Sequence, residues 1–178
     1  MSDIQKGHQI TSAFLYLQQV FKECQHLIFK IDSQLDPEWK NLYGNRITRD
    51  VSANLQDPER WIPESIFRIY QSVKNKEVNI GVTISFWGDD NIEQPIITAG
   101  KIIYSDIEKR IHWDLWNLWF EPLTQGEDDS YKADGRVYRF QPEDSKHIKE
   151  ASVFSLPLIS ITDDETLFEK IIKPLKEL

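Results

Sequence analysis

HQITSAFLYLQQVFKECQHLIFKIDSQL, residues 8–35, decides the architecture. Taken every third or fourth residue it reads Ile10, Phe14, Leu17, Phe21, Cys24, Ile28, Ile31 and Leu35, an unbroken 4-3 apolar spacing widened by Ala13, Val20 and Leu27. Side chains three and four apart share one helix face, so the pattern predicts a single amphipathic helix, ~40 Å long at 1.5 Å per residue. Its end is set near Leu35 by Asp36-Pro37, because the residue before a proline disfavours the helical region. Asp36-Pro37-Glu38 and Asp57-Pro58-Glu59 each read as a fresh helix start, with an acid as cap and proline in the first turn. The span 36–64 is therefore expected to be a connector of short helices and turns, with Gly44-Asn45-Arg46 as a turn and Trp39, Tyr43 and Trp61 pinning it to the body.

Beyond Pro63 the period changes from helical to two-residue. Val78, Ile80, Val82, Ile84 and Phe86 alternate with Asn79, Gly81, Thr83, Ser85 and Trp87, which predicts a strand with one buried and one mostly polar face. Ser65 to Val73 precedes it across the turn Lys74-Asn75-Lys76-Glu77, and Ile96 to Ser105 follows, giving an antiparallel meander. Residues 107–120 are ambiguous. As a helix they place Ile107, Ile111, Leu115 and Leu118 opposite Trp113, Trp116 and Phe120. As a strand they are apolar on both faces, and their aromatic content together with a turn at Ser105 to Lys109 favours that reading. Glu121 to Gly135 is an acidic loop, Arg136 to Gln141 a short strand, and Ala151 to Ile161 a last strand whose Pro157 predicts an edge position or a bulge. Thr162-Asp163-Asp164-Glu165 is a capping box opening a C-terminal helix, with Phe168, Ile171, Leu175 and Leu178 on its stripe and Pro174 loosening its last turn. The expected fold is a single α+β domain over residues 1–178: a long N-terminal helix and a C-terminal helix packed on one face of an antiparallel sheet of about five strands.

Composition narrows the function. A net charge of −8 disfavours nucleic-acid binding, which rests on cations meeting phosphates. No apolar run approaches the ~20 residues of a membrane span, and the polar N-terminus lacks a signal-peptide core, so a cytoplasmic location is expected. The one cysteine, Cys24, lies on the helix stripe and reads as a small buried hydrophobe. Four histidines (His8, His26, His112, His147) show no HExxH and no short ligand spacing, and neither a phosphate-binding glycine loop nor a GxSxG elbow is present. No metal or cofactor is expected.

The reading these features favour is a non-enzymatic, acidic binding or regulatory protein acting through protein contact. Its partner is unidentified, a basic one being the electrostatic complement of so acidic a chain, as for immunity proteins and antitoxins by composition alone. Trp87, Trp113, Trp116 and Trp119 are its candidate binding residues, and the N-terminal helix is a candidate homodimer face. A divalent-metal-dependent hydrolase or nuclease is the alternative, using Asp89, Asp90, Glu127, Asp128 and Asp129. Glu38-Trp39-Lys40 and Asp144-Ser145-Lys146 are similar to the acid-x-Lys fragment of restriction-endonuclease-like nucleases, but neither copy falls on a clear strand beside an upstream acid. A third reading is a small-ligand sensor whose pocket is lined by Trp87 and Trp113. Arg46, Arg49, Arg60 and Arg68 are expected as internal salt-bridge partners in so acidic a chain.

Overall fold

The structure, a computed structural model, describes residues 3–87, 93–111, 114, 133–142 and 145–178. It divides into two units, Met1–Gln34 and Leu35–Leu178. The first is one uninterrupted helix, α1 (Asp3–Leu35), 33 residues or ~50 Å long at 1.5 Å per residue. The apolar spacing holds it without a break, and Gly7 near its start is accommodated inside it. Along the predicted stripe Ile10 and Phe14 are exposed, Leu17 and Phe21 half-buried, and Cys24, Ile28, Ile31 and Leu35 buried. Burial, with the charge of Glu23 adding to it, pushes the Cys24 thiol up to about 11.

The second unit is built on an antiparallel sheet. Its strands are β1 (Trp39–Asn41), β2 (Thr48–Asp50), β3 (Ser65–Ser72), β4 (Val78–Ser85), β5 (Ile96–Tyr104), β6 (Tyr138–Phe140) and β7 (Ile148–Pro157). Their order is β1-β3-β4-β5-β7-β6, with β2 also paired to β3. The five strands expected from periodicity are all present, and β3, β4 and β5 form the meander. Together with α1 and a C-terminal helix they make an α+β protein.

Several local expectations are corrected. The 36–64 span contributes two strands and a 3-10 turn (Pro58–Trp61) to the fold. After the turn at Asp36-Pro37 the chain enters β1 directly, so no helix starts there. Both short strands lie on the outer edge of β3: β1 opposite Tyr70–Ser72, β2 opposite Ser65–Phe67. Gly44, at φ +57°, makes the reversal between them in the left-handed region that favours glycine. The buried Arg68 holds that reversal in place by donating to the carbonyls of Gly44 (2.9 Å) and Arg46 (2.8 Å) rather than acting simply as a salt-bridge partner. Arg60 does form the expected ion pairs, with Asp50 at 2.7 Å and Glu64 at 3.6 Å. Trp39 and Tyr43 are half-buried, but Trp61, expected to pin the span to the body, is exposed.

Both faces of the sheet are buried. One carries Ile66, Tyr70, Ile80, Val82, Ile84, Ile97, Ala99 and Phe154, aligned by the strand registers. The other carries Ile69, Ile102, Tyr104, Ile148, Ala151 and Val153, with Leu42, Tyr43, Tyr138 and Phe140 packed on them. Asn79, Thr83 and Ser85, on that second face, are buried as well. Alternation in β4 therefore reports polarity and not solvent access. Pro157 is the last residue of β7, a strand paired on both sides, and it lies past the three-residue reach of β6. Its missing donor costs no ladder bond there, which is why an interior strand tolerates it. In place of the expected strand start, Ile107–Lys109 is a 3-10 turn capped by Asp106; of the rest of the 107–120 stretch only Arg110, Ile111 and Asp114 are among the described residues.

The C-terminal helix, α2, runs over 164–177. Its capping box sits one residue later than expected: Asp163 accepts from the Thr166 N–H (2.8 Å), and the Thr166 hydroxyl accepts from the Asp163 N–H (3.1 Å). Hydrogen bonds donated to it, that of the Thr166 N–H foremost, hold the Asp163 carboxyl below its ordinary pKa. Pro174 is absorbed by a π turn over Phe168–Ile172, in which the Lys173 N–H reaches back to the Phe168 carbonyl. The widened turn re-phases the buried face to Leu167, Ile171, Ile172 and Leu175, and turns Phe168 outward. The last turn of α2 lies against β5, and Lys176 pairs with Glu38 at 3.1 Å.

Replacing Arg68 with Leu leaves two carbonyls of the Gly44 turn without their donor. The variant is expected to lose about 2–3 kcal/mol of stability, read as a lower urea midpoint at unchanged slope.

Candidate functional sites

Of the residues singled out from sequence, Trp87 is described and is half-buried just past the end of β4. Trp113, Trp116, Trp119, Asp89, Asp90, Glu127, Asp128 and Asp129 lie outside the described residues. Among those described, no group of three His, Cys, Asp or Glu side chains is placed to hold a metal ion, and no helix is long and apolar enough to cross a membrane.

The structure instead assembles a buried polar cluster at one end of the sheet. The register that pairs Tyr104 with Ile148 brings the end of β5 beside His147. The 3-10 turn after β5 then returns the chain so that Asp114, 3% exposed, meets both. One carboxylate oxygen accepts from the Tyr104 hydroxyl and from the Ile111 N–H, each at 3.0 Å. The other faces His147 Nε2 at 3.0 Å. The Tyr104 and His147 rings stack with centroids 6.1 Å apart and planes 22° from parallel. Beside them Arg110 Nη1 donates to Asn79 Oδ1 at 2.9 Å, satisfying an amide oxygen in β4. Burial, and then the Asp114 charge, drive the Tyr104 hydroxyl far above its ordinary value. The same charge reaches Tyr43, whose pKa is raised chiefly by burial and held back by Arg110.

A carboxylate orienting an imidazole is half of an acid–base machine; the other half is a group for the imidazole to activate. Among the described residues no hydroxyl or thiol is hydrogen-bonded to His147. The Ser105 hydroxyl, close in sequence to Tyr104, donates to the Lys146 carbonyl. The cluster as described is a fastening: it joins Ile111 and Asp114 to Tyr104 at the end of β5 and to His147 just before β7. Sequence reasoning missed it because Asp114 and His147 are 33 residues apart. The available signal was the lone acid in Trp113-Asp114-Leu115-Trp116, since a carboxylate in so apolar a run requires partners.

A second locus is an open cleft of about 510 Å³ lined by Arg49, Val51, Ser52, Ala53, Trp61 and Pro63. Trp61 is 54% exposed, with its indole N–H donating to the Asn54 carbonyl at 2.9 Å. Neighbouring Arg60 is held by buried Asp50. Burial works against its charge, but Asp50, Glu64 and Asp57 together keep its pKa above the ordinary value. The third locus is the first half of α1, where residues 4–16 are all exposed although Ile10, Phe14, Leu15 and Tyr16 are among them.

No protein-family model, no curated protein and no solved structure gives a significant match to this chain.

Two measurements test the cluster. Asp114→Ala strands the Tyr104 hydroxyl and the His147 ring, with an expected loss of about 2–4 kcal/mol in chemical denaturation. In an alkaline titration followed by phenolate absorbance, Tyr104 is expected to stay protonated until the chain unfolds. Its folded pKa lies above the ordinary 10, so its contribution is complete below that pH and is lost as pH climbs towards the folded value.

Proposed function

We propose that the protein is a non-enzymatic binding protein acting through protein contact, and that its docking surface is the first half of α1. The observation that carries this reading is the exposure of the apolar stripe there: Ile10 is 61% and Phe14 59% exposed, one helical turn apart on the same face. A helix draws most of its stability in water from packing its apolar face, so a stripe kept regular but unpacked is most useful when something covers it. Contiguous exposed apolar surface marks interaction sites for the same reason.

A photo-crosslinking side chain placed at position 14 tests the proposal in cells expressing the full chain. Crosslinks to a protein, with the same probe at exposed Ser12 on the far side of the helix giving none, are expected. Equal yields from both positions, or none from position 14, overturn it.

A further inference from the structure

Resting on that docking reading, we propose that the occupant of the exposed α1 face is α1 of a second copy of this chain. The charge distribution selects it. Over the whole helix Lys6, Lys22 and Lys30 balance Asp3, Glu23 and Asp32, so the net charge of −8 is carried by the rest of the protein. Within residues 4–21 the sole formally charged side chain is Lys6. The positions flanking the stripe are Thr11 and Gln18 on one side and Ala13 and Val20 on the other. A basic protein partner would find no carboxylate here to pair with. An anionic lipid surface calls for several lysines and arginines along the flanks, and within residues 4–21 the flanks carry one, Lys6, in the row of Ala13 and Val20. An uncharged, apolar seam is complementary to its own image, because two copies related by a two-fold axis bring no like charges together. The 4-3 spacing of Ile10, Phe14, Leu17 and Phe21 is the repeat that lets two helices interlock side chains along a shared seam.

The seam is short. Residues 4–21 span ~27 Å of helix, which places the contact at the small end of specific interfaces and gives a dimer in exchange with its monomer. The apolar residues further along, Cys24, Ile28 and Ile31, are buried already and do not extend it.

Sedimentation velocity of the full chain from about 1 µM to about 1 mM reads this directly. The expected result is a concentration-dependent shift from monomer to dimer, with Phe14→Glu and Ile10→Glu each weakening association at least about tenfold. Both side chains are exposed, so circular dichroism of each variant at low concentration should match the parent; should one misfold, the other carries the result. A strict monomer throughout, or a dimer that neither substitution weakens, overturns the proposal. So does flotation of a monomeric chain with neutral or anionic vesicles. A monomeric chain that still crosslinks through position 14 to a different protein removes the second copy and leaves the docking reading intact. Loss of the crosslink as well removes both.

Discussion

Because β5 is hydrogen-bonded along nearly its whole length on both sides, to β4 from Ile96 to Ile103 and to β7 from Ile96 to Tyr104, every side chain in the centre of the sheet is assigned to a face by those two registers. A slip of one residue would exchange Ile97, Ala99 and Ile103 with Thr98, Gly100 and Ile102 and present hydroxyls where the aliphatic layer packs. The register shift between Ile103 and Tyr104 acts at the end of the same strand. It leaves Tyr104 opposite Ile148 and next to His147, where Asp114 can bond to both. The polar fastening is thus a product of the ladder geometry.

The sheet's second face shows how much polar surface such a ladder can enclose. Thr98 and Ser155, paired across β5 and β7, share a hydrogen bond of 2.7 Å. Thr83 and Ser65 are equally buried, yet among the described residues their hydroxyls have no hydrogen-bond partner. Short hydroxyl side chains are the least costly polar groups to enclose, which is consistent with their recurrence on this face. By contrast, the exposed part of α1 carries large apolar side chains with no cover. The two surfaces invert the ordinary relation of polarity to burial in opposite senses.

Much of the fold was legible because it is periodic. α1 and the strands β3, β4, β5 and β7 each repeat their pattern over eight or more residues, long enough for spacing to speak. β1 and β2, at three residues each, have no period to read. They exist because β3 offers an edge and Arg68 fixes the turn between them, and both causes lie elsewhere in the sequence. The same holds for the displaced capping box: Thr162 and Glu165 matched a familiar spacing, while Asp163 and Thr166 make the bonds. Of the candidate sites, the apolar stripe was visible but its exposure was not, and the contacts of Asp114 were visible in neither composition nor motif.

The two ends of the sheet have a bearing on how the protein behaves when crowded. An unpaired strand edge is a template onto which another chain can add, and the risk grows with its length. Among the described residues the outermost strands, β1 and β6, are three residues long, and β3 is capped along its margin by two separate short segments with a buried arginine between them. Among the described residues, then, neither outermost strand is itself a long flat run onto which a further chain could be recruited.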